Sequence, residues 1–528
     1  MTARPISETV ASLMPRAQAE LAELVAFRSV ADPAQFPRSE CEAAAGWVAD
    51  ALRAEDFQDV ALLDTPDGTQ SVYGYLPGPA GAPTVLLYAH YDVQPPLDES
   101  AWLSPPFELT ERDGRWFGRG AADCKGGFIM HLLALRALKA NGGVPVSVKV
   151  IAEGSEEQGT GGLEQYAEAH PELLAADTIV IGDTGNFRVG LPTVTATLRG
   201  MTMLRVRLDT LEGNLHSGQF GGAAPDALAA MIQLLSSLRA EDGTTTVDGL
   251  TTDAEWDGLQ YPQDEFRKDA KVLDGVELIG TGTVADRIWA RPAVTVIGID
   301  CPPVVGATPS LQASARAQIS LRVPPGQDAA EATKLLTAHL ESGGAPGGGG
   351  GGGRGGRRGP RAGRGTTPPH NQDGGAARGG APRGWRGRAG DLLCGGARAG
   401  GGRGGPPPGP PPPGGARPRG GPRVSVEQVG QGQPFRADVT SPAYTSMAEA
   451  MRVAYPGEEM QSSGMGGSIP LCNTLAALYP QAEILLIGLS EPEARIHAVN
   501  ESVSPEELER LSVAEALFLR NYAESKKV

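Results

Sequence analysis

Residues 85–92, Val-Leu-Leu-Tyr-Ala-His-Tyr-Asp, constrain the fold more than any other stretch of the chain. A continuous apolar run that stops abruptly at polar groups is the pattern of a parallel strand buried on both faces. His90 and Asp92 then stand at the carboxyl end of that strand, where open α/β sheets hold their ligands. Their i, i+2 spacing sends both side chains to the same side of an extended backbone. An imidazole beside a carboxylate is a metal ligand with an orienting partner. His-x-Asp alone is a common coincidence, so a site requires further ligands from elsewhere in the chain.

The surrounding sequence alternates strand and helix. Helical periodicity over 5–30 and 40–54 is followed by strand-like 60–63 and 71–76, then by the 85–88 run. A glycine-rich stretch containing Asp123 opens a helical segment at 128–140, and 146–152 is a second β-branched apolar run that ends in Glu153-Gly-Ser-Glu-Glu-Gln-Gly. A helix over 162–170 precedes a strand at 178–181 that ends at Asp183. Such alternation predicts βαβ units and a mainly parallel sheet. From about residue 194 the style changes. Residues 194–198 and 203–208 alternate like half-exposed strands, 224–238 and 329–340 read as amphipathic helices, and 298–300 and 315–323 add strand material. This is the pattern of a smaller α+β domain inserted into the larger one. The expected fold is therefore α/β, a mainly parallel-sheet catalytic domain (1–193 and 433–528) interrupted by an α+β lid or dimerisation domain (194–432).

Residues 346–423 differ from everything around them. They are almost entirely Gly, Pro, Ala and Arg, with no Val, Ile, Met, Phe, Tyr, Lys, Glu or Ser. They cannot bury enough apolar surface to fold, so disorder is expected. Fourteen Arg against Asp373 and Asp391 give the tract a charge of +12, which leaves −28 for the rest of a chain whose net charge is −16. The residues are those of GC-rich codons, which favours an inert or frameshifted insertion over an RNA-binding arm. The acidic remainder argues against nucleic-acid or anionic-membrane partners. Five scattered cysteines without a CxxC give no disulfide framework, and no apolar stretch suits a signal peptide or a membrane span. The expected location is the cytoplasm.

After the tract, a helix over 443–452, the glycine loop Gly464-Met-Gly-Gly-Ser-Ile-Pro, a strand at 482–489, the segment Ile496-His-Ala-Val-Asn-Glu and a helix over 506–522 restore folded character. His90, Asp92, Asp123, Glu156, Glu157, Asp183 and His497 are then candidates for one site. Carboxylates and imidazoles without thiolates suit Zn²⁺, Mn²⁺ or Co²⁺. Two metals need a bridging carboxylate with a His and a carboxylate on each side, and this inventory supplies them. His131, His170 and His339 fall in helical segments outside every motif and read as structural or solvated.

The stretches Ala89-His-Tyr-Asp-Val-Gln-Pro, Gly118-Arg-Gly-Ala-Ala-Asp-Cys-Lys-Gly-Gly, Glu153-Gly-Ser-Glu-Glu-Gln-Gly, Ile181-Gly-Asp and Ile496-His-Ala-Val-Asn-Glu resemble, in order, those of the M20 family of di-zinc metallopeptidases. Gln94-Pro95, Leu198-Arg-Gly-Met and Ile319-Ser-Leu-Arg-Val-Pro look most like its cytosolic dipeptidase branch, carnosinase-like enzymes included. The resemblance implies two Zn²⁺ per subunit, with Mn²⁺ or Co²⁺ as alternatives. His90 and Asp183 would hold one, Glu157 and His497 the other, and Asp123 would bridge. Asp92 would orient His90, and Glu156 would be the general base that takes a proton from the metal-activated water and delivers it to the leaving amine. His216 would reach the partner subunit's active site in a homodimer formed through the lid, Arg322 would pair with the substrate carboxylate, and Ser468 would add a hydrogen bond. Cys124 departs from the Asp or Asn often found after the bridging residue. The implied reaction is hydrolysis of the amide bond of a dipeptide or short peptide. N-acyl amino-acid deacylation and carboxypeptidase action are the alternatives of the same chemistry, and a non-catalytic binding protein on this fold is the alternative of another class.

Overall fold

A computed structural model describes residues 5–343, 421–467 and 469–526. Ser468 and residues 346–420 of the Gly/Arg tract lie outside the described residues. Of the tract's last three residues, Arg423 already belongs to a strand.

A six-stranded sheet organises the chain, in the order Gln58–Asp64, Gln70–Leu76, Ser147–Glu153, Thr84–His90, Thr178–Ile181, Glu483–Leu486. The last four run parallel, and the first two form an antiparallel hairpin along one edge. Residues 85–90 are buried throughout, as expected of a strand paired on both sides and covered on both faces. Parallel pairing places the carboxyl ends of Thr84–His90, Ser147–Glu153 and Thr178–Ile181 at one edge, so His90, the Glu156–Glu157 turn and Asp183 converge without any long-range coincidence. The helix Lys125–Ala140 is buried from Lys125 to Leu138 and mainly apolar all round, because it lies between the His90 strand and the helices Ile6–Ala26 and Pro505–Ser525. Its first residue, Lys125, donates to the carbonyls of Leu24 (2.9 Å) and Phe27 (2.8 Å), caps the end of Ile6–Ala26 and fixes where the Asp123 loop begins.

A four-stranded antiparallel sheet, ordered Ala293–Ile299, Ser314–Val323, Gly200–Asp209, Arg423–Gly432, carries the helices Ala227–Ser236 and Ala329–Glu341 and has its own core around Leu204, Val206, Met231, Ile319 and Leu336. Gly200–Asp209 alternates buried and less buried residues, the signature of a sheet covered on one face.

The strand Thr193–Leu198 does not alternate. All six residues are buried, because it pairs in parallel with Gln461–Met465 and antiparallel with Phe435–Arg436, and Val194 and Leu198 join the core of the large sheet. Residues 240–290, polar and without clear periodicity, still contribute a small aromatic core of Trp256 and Trp289 packed with Phe187 and Leu191.

Candidate metal centre

The site is assembled around Asp123. One of its carboxylate oxygens lies 3.1 Å from Nε2 of His90, and the other lies 3.0 Å from Nε2 of His497. His90 Nε2 is also 3.2 Å from Oδ1 of Asp183, and His497 Nε2 is 3.2 Å from Oε2 of Glu157. Each imidazole therefore points the same ring nitrogen at the shared carboxylate and at one terminal carboxylate. His90 Nδ1 faces the Asp92 carbonyl at 3.0 Å and the Asp92 carboxylate at 3.4 Å. The Asp92 carboxylate also accepts from the backbone N–H groups of Glu156 (3.2 Å) and Glu157 (3.1 Å). It thus fixes both the imidazole and the turn that bears the two glutamates.

Supporting groups were not all singled out in the sequence. Glu501 accepts from the N–H groups of Ala122 and Asp123, both at 3.1 Å, and is itself held by Arg119 at 2.6 Å. Gln94 donates from its side chain to Glu157 Oε2 at 2.8 Å and from its backbone to Oε1 at 3.2 Å. Both residues stand inside the recognised motifs, and that was their only sequence signal. Asp67 gave none. Its carboxylate accepts from Ser155 (2.7 Å) and Thr160 (2.5 Å), which bracket the glutamate turn, and from Thr65 and Thr69 in its own hairpin.

Charge decides what this arrangement can hold. Asp92, Asp123, Glu156, Glu157 and Asp183 surround two imidazoles, and no Lys or Arg among the described residues forms an ion pair with any of them. Burial pushes the Asp183 carboxyl up to about 6 even with His90 beside it. Burial also raises Asp123, but hydrogen bonds to His497 and His90 outweigh it and hold that carboxyl well below the usual range. Hydrogen bonds to Asp123 and Glu157 raise His497 to about 10. This is a cradle of oxygen and imidazole donors with no Lys or Arg counter-ion among the described residues, and its donor set suits divalent cations. Cys124 lies close to His90 and Asp183 but donates its S–H to the Gly182 carbonyl at 3.1 Å, and burial pushes its thiol well up. It is a thiol committed to the backbone rather than an anionic ligand.

Glu156 differs from its neighbours. Its carboxylate makes no hydrogen bond among the described residues, and burial, then the charge of Asp183, push it well above the ordinary value. A half-buried carboxyl with a raised pKa and a free face is suited to taking up and releasing protons near neutrality.

The profile of peptidase family M20/M25/M40 matches residues 86–521. The chain belongs to the M20 peptidase family. Over 508 residues, 95% of this chain and 94% of the relative, it is 40% identical to a cysteinylglycine-S-conjugate dipeptidase from Corynebacterium striatum. It is 31% identical over 299 residues, 54% of this chain and 61% of the relative, to the Cys-Gly metallodipeptidase dug1 of Schizosaccharomyces pombe. The structure of human carnosine dipeptidase 1 shares the fold, with a TM-score of 0.72 at 21% identity over 98% of both chains. No described helix of this M20 metallopeptidase is long and apolar enough to cross a membrane.

Among the described residues, neither His216 nor Arg322 makes a hydrogen bond or ion pair with the metal cluster. His216 is exposed on the two-residue strand Leu215–His216, and its imidazole has no hydrogen bond among the described residues. Arg322, half-buried in Ser314–Val323, has no carboxylate partner among the described residues, and burial lowers its pKa. A residue without an assigned role stands near it. Arg199 has Nε and Nη1 buried and unpartnered, packs against Gly466 of the glycine loop, and is pushed down to about 10 by burial and the charge of Arg322. His131 is structural, buried between Glu515 and the Tyr88 carbonyl.

Proposed function

We propose that this M20 metallopeptidase hydrolyses the amide bond of dipeptides, cysteinylglycine-type dipeptides among them, in the cytoplasm. The observation that carries the reading is Asp123, whose two oxygens each face a different imidazole, every imidazole having its own terminal carboxylate. In the proposed assignment His90 and Asp183 hold one divalent metal, Glu157 and His497 the second, and Asp123 both. Zinc suits the donor set, and Mn²⁺ or Co²⁺ are alternatives. Such a pair supplies Lewis-acid polarisation of the scissile carbonyl and acidifies water.

Glu156 takes the proton of the attacking water on its carboxylate and returns it to the leaving amine. Its burial and free face support this role. Asp92 holds the turn so that Glu156 and Glu157 diverge. Arg322, with Arg199 beside it, supplies positive charge without an acidic partner, which suits a substrate carboxylate. Ser468 adds a hydrogen bond from the glycine loop.

The exposed His216 acts on a partner subunit's site in a homodimer formed through residues 194–432, which act as lid, while 1–193 and 433–528 form the catalytic domain. The test is a panel of dipeptides and N-acetyl amino acids offered to protein loaded with Zn²⁺, Mn²⁺ or Co²⁺. Hydrolysis of dipeptides with two metals per chain is expected. Rapid release from N-acetyl amino acids with no dipeptide cleaved would overturn the assignment.

A further inference from the structure

Two residues beyond Asp183 the chain enters the wall of a recess of about 130 Å³ whose principal walls are Gly185, Phe187, Tyr261, Trp289, Met465 and Pro492. No charged side chain lines it. The Phe187 and Tyr261 rings meet edge to face at 4.8 Å, and Tyr261 stacks on Trp289 at 6.2 Å. Trp289 lies so close to Gly464 that a Cβ there would sit 2.6 Å from the indole, so the glycine is what admits the ring. Tyr261 and Trp289 come from residues 240–290, a region that contributes no residue to the metal cluster.

The position of the recess gives it a use. Gly185 is two residues from Asp183, within about 7 Å along an extended backbone. Pro492 lies on the loop that carries His497, and Met465 is three residues before Ser468. The two segments that bring Asp183 and His497 to the cluster therefore also build the walls of the recess, Met465 ends the strand Gln461–Met465 against it, and the aromatic cluster closes the remaining side. A volume of about 130 Å³ is well below the roughly 300–1,000 Å³ of a pocket that encloses a whole ligand. It holds one side chain. A charged side chain entering it would lose its water without gaining a partner.

We propose that this recess is the specificity subsite for an apolar side chain of the dipeptide substrate, aliphatic, aromatic or thioether, and that Met465 sets its depth. The proposal rests on the dipeptidase reading above. Met465 is only partly buried and its flexible thioether is an adaptable wall, so substitutions there alter the recess with little disturbance to the core.

The experiment measures kcat/KM on metal-loaded enzyme for two series, X-Gly and Gly-X, with X as Ala, Leu, Phe, Asp or Lys, for wild type, M465W and M465A. Wild type is expected to prefer Leu or Phe over Asp and Lys by at least about tenfold at one of the two positions, the range that one apolar pocket commands. M465W should lower the Phe-to-Ala ratio at that position about tenfold, and M465A should raise it. Equal efficiency for all X in wild type, or variants that scale every substrate by one common factor, would overturn the subsite and leave the dipeptidase reading standing. If M465W fails to fold, the direction of the change in M465A decides. No hydrolysis in either series would sink the dipeptidase reading and the subsite with it.

Discussion

The two imidazoles of the candidate centre do the same geometric work from opposite structural circumstances. His90 ends a strand paired on both sides, its side chain is 0% exposed, and its second ring nitrogen is fixed by Asp92. His497 sits on a loop at φ +60°, flanked by Arg495 and Asn500 at φ +56° and +61°, and its side chain is 52% exposed. Left-handed backbone at three non-glycine residues in one loop is costly and persists only where the surroundings hold it. Here Asn500 does part of the holding, accepting from Leu103 N–H at 2.7 Å and donating to the Ala101 carbonyl at 3.2 Å. One half of the site is thus a product of the sheet, and the other of a strained loop open to solvent. The sheet half should keep its metal more tightly, and the loop half should be where substrate and solvent arrive.

The largest effect is expected where the halves meet. Asp123→Ala removes the carboxylate both share, so metal content should fall below one per chain and kcat/KM by on the order of 10⁴ or more, since several kcal/mol of charge stabilisation go with the metals and each 1.36 kcal/mol is tenfold. Metal analysis after dialysis, paired with the dipeptide assay, checks this. A variant that keeps two metals would show that Asp123 is not the bridge. Next comes Glu156→Gln, which should lower kcat by about 10²–10⁴ with metal content unchanged, the range for loss of a general base. Loss of metal in E156Q would make Glu156 a ligand and redraw the division of labour with Glu157.

A direct comparison of the halves gives a smaller but more discriminating difference. His497→Ala should leave about one metal per chain, whereas His90→Ala should impair both sites, because the buried Asp183 and Asp123 carboxylates would then face each other without the imidazole between them. In wild type, chelator should remove one equivalent before the other. Acid should do likewise, because carboxylate partners raise both imidazoles and their protons compete with the ions, but only the His497 side chain is open to solvent. Simultaneous loss of both equivalents in both experiments would erase the proposed asymmetry.

The same contrast explains what the sequence could and could not tell. The sheet half was legible because a parallel strand buried on both faces is a continuous apolar run, and its candidate ligand stands at the run's end. Asp183 follows from the same rule one strand over. His497 has no such local signal, since its loop is shaped by backbone strain and by contacts with residues 101–103, almost 400 positions away. Residues 194–198 read as half-exposed because alternating Thr and apolar residues mimic a one-sided sheet, and the burial of Thr193–Leu198 depends on a partner strand at Gln461–Met465. The aromatic recess was invisible for a related reason. Its rings are scattered over residues 187–289 and carry no periodicity.

Asp67 is the last of these illegible residues, and it sharpens the comparison on the sheet side. An Asp-Gly in a hairpin reads as turn chemistry alone, yet this carboxylate ties the hairpin to Ser155 and Thr160 while Asp92 holds the backbone between them. The Glu156–Glu157 turn is suspended between two carboxylates, whereas the His497 loop is held in its left-handed backbone partly by Asn500. Asp67→Asn keeps the shape but replaces an acceptor oxygen with a donor, so the turn should shift by a fraction of an ångström. A misplacement of ~1 Å costs ~100-fold, so kcat should fall about tenfold with KM nearly unchanged. Burial alone would raise the Asp67 carboxyl, but hydrogen bonds from Thr160, Thr65, Ser155 and Thr69 outweigh it and hold it well below the usual range. A carboxyl lowered by folding lends stability that is complete above its unfolded pKa of about 3.9 and fades as pH falls toward the folded value. Thermal melts of D67N and wild type should therefore differ most above about pH 4 and converge in stronger acid. A deficit of equal size at pH 3 and pH 7 would mean that the charge of Asp67 does not hold the turn, and the sheet half would then depend on Asp92 alone.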